Sequence, residues 1–230
     1  MPISIVTNED NMSMMARYPD NFFDLAIVDP PYGIGIDGQK KSINKNPKHN
    51  RKQHEKKGWD NEIPSESYFT ELSRVSKYQI IFGGNYFTQF LPPVKGWIVW
   101  FKGQNDLTMS DCELIWTNLP MVTRQVNINR AELIKQNRFH PTEKPYKLYR
   151  HILTKYCVGY GQKLLDTHLG SGSSRIAAYD LGFDFYATEL GKEYFDAQEK
   201  RFTKHIAQQK MFAPTAAIIQ PVQSQLFNAL

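Results

Sequence analysis

The sequence predicts an α/β fold, a mostly parallel central sheet with helices on both faces, on three observations. Short apolar runs rich in branched residues recur from one end to the other, helical spacings fall between them, and a polar or glycine-containing turn closes each run. The 230 residues, 41% of them apolar, suffice for one main core.

The predicted strands are, in order, Ile3–Val6, Asp24–Val28, Gln79–Phe82, Trp97–Phe101, Glu113–Trp116, Lys163–Leu165 and Phe185–Thr188. The second and sixth each run straight into an aspartate-containing turn, the third stops at Gly83-Gly84, and the last stops at Glu189. Helical spacing links Tyr68, Phe69, Leu72 and Val75, then Leu148, Tyr149, Ile152, Leu153 and Tyr156, then Tyr194, Phe195, Gln198, Arg201 and Phe202. These stripes are expected to face the core and not to carry chemistry. Residues 1–206 read as one domain without internal repeats. The stretch 207–230, weakly periodic with Gln, Ala and Pro, reads as a tail outside the core.

No apolar stretch is long enough to span a membrane, and no basic start precedes an apolar run at the N-terminus, so a soluble, cytoplasmic protein is expected. Cys112 and Cys157 have neither metal-ligand nor disulfide spacing and read as packing residues, which suits a reducing compartment. The formal charge of +5 is unevenly spread. A loop over 37–60 holds eight basic residues, Lys40, Lys41, Lys45, Lys48, Arg51, Lys52, Lys56 and Lys57, with Glu55 against them between Gly38 and Lys57, a local +7 that leaves the remainder at −2. A near-neutral body with one basic loop suits a polyanion met on a single face; a solvated insertion is the plain alternative.

Two loops carry candidate chemistry. The run Leu25 to Tyr32 (LAIVDPPY) leads a strand into Asp29, Pro30, Pro31 and Tyr32. Successive prolines remove two backbone donors and fix φ, which leaves the carbonyls of Asp29 and Pro30 as rigid acceptors. A carboxylate beside such a carbonyl can take both hydrogens of an –NH2 group and aim its lone pair at an electrophile such as a methyl sulfonium. Tyr32 supplies a flat surface for a base, and Tyr86 or Phe139 a second one. The other loop, Leu164 to Ser174, is again strand, acidic residue (Asp166), glycine turn and helix, and Gly170 and Gly172 admit a ligand close to the backbone. Glu189 ends the next strand where a carboxylate can hold the two ribose hydroxyls of an adenosine. Arg175 stands where a dinucleotide fingerprint has its third glycine, which argues against NAD or FAD. Asp10 follows the first strand, in the kind of loop where open α/β sheets bind ligands.

In these residues the chain resembles the DNA amino-methyltransferases of the permuted beta class, of the DPPY adenine type. Asp29-Pro30-Pro31-Tyr32 resembles that family's catalytic motif, His140 to Pro145 (HPTEKP) its HPTxKP motif, and Asp166 to Gly172 its cofactor loop, in the same order. Trp59-Asp60, Phe82 to Tyr86, Trp97 to Trp100 with Lys102, and Glu113 to Trp116 are weaker echoes. The resemblance implies a Rossmann-like methyltransferase fold and transfer of a methyl group from S-adenosylmethionine to the exocyclic amine of adenine in DNA, with base flipping. It implies that Asp29, Pro30, Pro31 and Tyr32 bind the target. It further implies that Asp166, Leu169, Gly170, Ser171 and Gly172, with Asp29, surround the cofactor's methionine part. Glu189 would take the ribose, Asp10 would lie near the adenine, and His140, Thr142 and Lys144 would close the methionine pocket. It places a short target-recognition region at 103–138.

The chain departs from the family where Thr167-His168-Leu169 and Ser173-Ser174 stand in the cofactor loop, which bears on cofactor affinity. The same chemistry on cytosine's amine is the nearest alternative; a non-catalytic nucleic-acid-binding module, RNA, or a protein amide acceptor are more distant. A homodimer stays open. Gln223, Leu226 and Phe227 resemble the short Gln-x-x-Leu-Phe peptide that docks on the replication sliding clamp.

Overall fold

The computed structural model describes residues 2–38, 58–103, 110–129, 143–157, 159 and 161–212. Their strands form an eight-stranded sheet: β1 (Ser4–Thr7), β2 (Phe23–Val28), β3 (Ser76–Phe82), β4 (Trp97–Phe101), β5 (Cys112–Thr117), β6 (Arg124–Asn127), β7 (Lys163–Asp166) and β8 (Asp184–Thr188), in the spatial order β1-β8-β7-β2-β3-β5-β4-β6. Pairing is parallel except for β5, which runs against β3 and β4. Helices α1 (Asn11–Met15), α2 (Glu66–Val75), α3 (Tyr146–Ile152, continued by a π-turn over Leu153–Cys157), α4 (Ser173–Asp180) and α5 (Lys192–Phe212) cover it.

Period-two alternation along β2 shows how the sheet is covered on both faces. Leu25 and Ile27 join a core with Leu148, Ile152 and Ala177 from α3 and α4, whereas Ala26 and Val28 join another with Met14, Met15, Tyr68, Phe69 and Leu72 from α1 and α2. Each fully buried large aliphatic side chain contributes roughly 1.5–3 kcal/mol. The expected α/β architecture is the observed one.

Several local expectations are corrected by the structure. Strand β6 is absent from the predicted set: only Val126 of its four residues is buried, so no apolar run marks it, and it is held by backbone pairing to β4 alone. Helix α1 is only five residues long and is fixed by Asp10, whose side chain accepts from Ser13 N at 3.0 Å, and by burial of Met14 and Met15. Helix α5 runs from Lys192 to Phe212, with Gln209 donating to Asp180. Its stripe is not purely a core face: Phe202 is buried, but Arg201 donates to Ser171 O and Ser173 Oγ at 2.9 and 3.1 Å and pairs with Glu143 at 2.9 Å. Within 103–138, residues 112–117 and 124–127 are sheet strands. Among the described residues no helix is long and apolar enough to cross a membrane. The lysines and arginine of the basic loop, Phe139, His140, Thr142 and the Gln223 to Phe227 peptide lie outside the described residues.

Candidate active site

Chain connections leave β2 toward β3 on one side and β7 toward β8 on the other, so the β2–β7 boundary is a topological switch point. Crevices outside the carboxyl ends of strands form there. The turn after β2 and the glycine loop after β7 therefore open at one sheet edge, side by side. The ends of β1 and β8 bring Asp10 and Glu189 to the same edge, and the end of β3 brings Gly83. Because β5 is antiparallel, its beginning lies at this edge too and delivers Glu113.

The turn after β2 is held from below by Asp60, which is 1% exposed. Its Oδ1 accepts the N–H groups of Tyr32 and Gly33, each at 2.9 Å, and its Oδ2 accepts that of Ile36 at 2.8 Å. Three charge-assisted bonds thus fix backbone that prolines have stripped of ordinary partners. Tyr32 stacks on Tyr86 with ring centroids 4.9 Å apart and planes 13° from parallel. Gly83, at φ +65°, lies so near that an added Cβ would sit 2.4 Å from the Tyr32 ring. Gly83→Ala should therefore displace Tyr32 and lower activity about tenfold or more, at a cost of roughly 1–3 kcal/mol in stability from overpacking and left-handed strain. Unchanged thermal unfolding and activity would show that the ring can yield.

Asp29 sits in a closed cluster of four charges. The Lys144 ammonium lies 2.8 and 2.7 Å from the two Asp29 oxygens and 3.1 Å from Glu113 Oε1, and Lys102 lies 3.4 Å from Glu113 Oε2. The Tyr32 hydroxyl is 2.6 Å from Asp29 Oδ1 and 2.7 Å from Glu113 Oε1, with one proton to share between them. The side chains of Lys144, Glu113 and Asp29 are only 6%, 10% and 16% exposed. Burial, with the Glu113 charge, raises the Asp29 carboxyl above its usual range although Lys144 opposes this. For Glu113 burial is outweighed by Lys144 and Lys102, and its carboxyl is held below the usual range. Lys144 is expected at the methionine pocket; the structure places it on Asp29, because two carboxylates draw it there.

In the β7 loop, Gly170 and Gly172 adopt φ +52° and +75°, and a Cβ on Gly172 would come within 3.1 Å of Gln198. Asp166 is 1% exposed and accepts from His168 N at 3.0 Å and Ser174 Oγ at 2.6 Å, so it fixes the loop and the start of α4. Leu169 and Ser171 are buried beside it. Glu189 accepts Gly170 N and Gly191 N, each at 2.8 Å, one on each oxygen, which leaves each oxygen a further lone pair. Asn11, next to Asp10, lies 3.1 Å from His168 Nε2 and joins the loop after β1 to the same site.

Burial pushes the Asp166 carboxyl from 3.8 up to about 7, and burial lowers the His168 imidazole from 6.5 to about 4. Over pH 4 to 6.5 the folded chain holds an extra proton on Asp166 and lacks one on His168. A raised acid loses stability as pH rises and a depressed base loses it as pH falls, so the two slopes oppose each other. Asp166→Asn removes the first. Relative to the unsubstituted protein, it should lose about 3 kcal/mol on going from pH 6.5 to 4. Denaturant unfolding at both pH values checks this; a pH-independent difference would contradict it.

Sequence reasoning missed Asp60 as a clamp, Glu113 and Lys102 as partners of the Asp29 turn, and Arg201 as a brace of the glycine loop. For the first three the only signal was their place in the weaker family echoes.

Residues 97–200 match the family described as DNA methylase, N6_N4_Mtase. No curated protein sequence is similar enough to match. Among solved structures, the M1.HpyAVI–SAM complex is 19% identical with a TM-score of 0.58, covering 86% of this chain and 100% of that one. The PvuII DNA methyltransferase, cytosine-N4-specific, is 13% identical with a TM-score of 0.56 and covers 87% of each chain. The putative DNA modification methylase TTHA0409 from Thermus thermophilus is 15% identical with a TM-score of 0.55, covering 89% and 96%. At these identities the structural likeness speaks for the fold.

Proposed function

We propose that this chain is a DNA amino-methyltransferase that transfers a methyl group from S-adenosylmethionine to the exocyclic amine of adenine in DNA, a reading supported by the family match over residues 97–200 and by the shared fold. The observation that carries the reading is the adjacency of the Asp29 turn and the Gly170–Gly172 loop across the β2–β7 switch point. It is tested by incubating DNA with cofactor labelled in its methyl group, then digesting to nucleosides: label in N6-methyl-2′-deoxyadenosine is expected, label in N4-methyl-2′-deoxycytidine would move the assignment to cytosine, and no label would overturn it.

The residues present fit the cofactor. Two positive-φ glycines let a ligand approach the backbone, and the free lone pairs on the two oxygens of Glu189 match vicinal ribose hydroxyls. Leu190, 72% exposed beside Glu189, offers an apolar cover for the adenine, and Asp10 stands at the neighbouring strand end. Leu169, Gly170, Ser171 and Gly172 would line the methionine part; His140 and Thr142, expected at the same pocket, lie outside the described residues. When bound, S-adenosylmethionine supplies an electrophilic methyl on a sulfonium.

The chain's own residues prepare the nucleophile. Asp29 Oδ1 already has Tyr32 and Lys144 as donors, so Oδ2 has room for one amine hydrogen, and the Pro30 carbonyl takes the other. Bonding both hydrogens localises a lone pair that the ring otherwise withdraws. A methyl accepted by this nitrogen would leave positive charge there, which the Asp29 carboxylate stabilises until one of the two amine hydrogens departs as a proton to water. Tyr32 stacks on the base, with Pro31 holding the turn; a duplex base is first flipped out. Tyr86 must then yield part of its stack on Tyr32 or form the base's other wall.

DNA is the partner that the basic loop suits. Neutralising Lys40, Lys41, Lys56 and Lys57 together should lower the salt slope of DNA binding by about 3–4 and weaken all sequences alike. An unchanged slope would remove the loop from the interface.

A further inference from the structure

Resting on the methyltransferase reading, we propose that Glu113 is a positioning residue that leaves the Asp29–Lys144 pair net negative toward the target amine by sharing the Lys144 ammonium with Asp29. The catalytic turn alone does not explain why a second carboxylate is buried here. Lys144 touches both Asp29 oxygens, and as a one-to-one pair it would cancel the charge that the methylated amine needs. Glu113 Oε1, 3.1 Å from the same ammonium, makes the trio of Asp29, Lys144 and Glu113 net negative by one charge. Lys102, 3.4 Å behind Glu113, restores neutrality on the far side. Glu113 also offers the Tyr32 hydroxyl an alternative acceptor at 2.7 Å, so that the hydroxyl need not stay on Asp29 when an amine hydrogen arrives. Neither Glu113 nor Lys102 comes from the Asp29 turn or the glycine loop. The hairpin β4–β5 carries both, pairing Trp100 with Glu113 and Phe101 with Cys112.

Two substitutions that leave Asp29 and its direct cation untouched should act in opposite directions. The other ionisable groups facing Asp29 are Tyr32 from its own turn, Lys144 ahead of α3, Tyr149 on α3 and Asp166 at the end of β7. All four stay in place in both variants. Glu113→Gln removes a negative neighbour, so Asp29 should titrate at lower pH; Lys102→Met unmasks Glu113, so Asp29 should titrate at higher pH. The Asp29 carboxyl is followed by carbon-13 NMR in protein labelled at Asp, alongside the pH profile of methyl transfer. Glu113→Gln should cut kcat about tenfold to hundredfold with cofactor Kd changed less than about threefold, while Glu113→Asp, which keeps the charge, retains most of the rate.

Wild-type kcat in Glu113→Gln, or a lost rate with the Asp29 titration unmoved, would overturn the proposal and leave Glu113 a folding residue. If Glu113→Gln does not fold, Lys102→Met and Glu113→Asp decide on the same readouts. Absence of transfer by the unsubstituted protein counts against the methyltransferase reading, and the opposed titration shifts then test the charge sharing by themselves.

Discussion

Asp29→Asn should lower methyl transfer by about a thousandfold or more while the affinity for S-adenosylmethionine stays within about threefold. The amide keeps an oxygen but loses the charge, and its –NH2 group turns a donor toward an amine that needs an acceptor. Lys144 retains Glu113 at 3.1 Å, so the fold survives with a loss of roughly 1–3 kcal/mol. That separation matters, because a collapsed protein would lose transfer for a trivial reason. Single-turnover transfer and equilibrium cofactor binding, measured on the same preparation, provide the check. Transfer within tenfold of the unsubstituted rate would show that Asp29 is not the acceptor.

Lys144→Met should be the most destabilising single change in the site. It leaves the Asp29 and Glu113 carboxylates buried together with one Tyr32 proton between them and only Lys102 as a nearby cation. Removing one partner from such a buried set costs about 3–5 kcal/mol. The pH dependence follows from sign. Asp29 already sits above its usual range through burial and the Glu113 charge, and losing the ammonium raises it further. An acid with a raised folded value loses stability as pH rises toward that value, so the deficit should be larger at pH 8 than at pH 5. Transfer should fall at neutral pH and recover in part on the alkaline side, as Asp29 ionises. Denaturant unfolding and rate profiles across that range test both statements; a pH-independent deficit would mean that Lys144 supports packing and not charge.

Much of the fold was legible because it rests on local pattern. A strand buried on both faces reads as a near-continuous apolar run, and Leu25–Val28 and Leu164–Leu165 are such runs, each leading into an aspartate-containing turn. The polar edge strand Arg124–Asn127 and the five-residue helix Asn11–Met15 were not legible, since neutral propensity and one or two buried residues leave no periodic trace. Gln198 and Arg201 fell on a helical stripe as expected, yet the stripe faces a glycine loop whose carbonyl and hydroxyl need donors, so polarity there is satisfied by the contact itself and not by solvent.

By itself the sequence determined the two loops and their chemistry: a proline-locked carboxylate after one strand and a glycine turn after another, each a property of consecutive residues. Tertiary structure alone decided what surrounds them. Reversal of one strand, β5, brings the start of that strand to the edge where the other strands end, and so places Glu113 against Tyr32, 81 residues away in sequence, with Lys102 behind it. Strand direction and neighbour order are set by packing across the whole sheet, and a burial-dependent charge balance exists only once those partners have been assembled out of water.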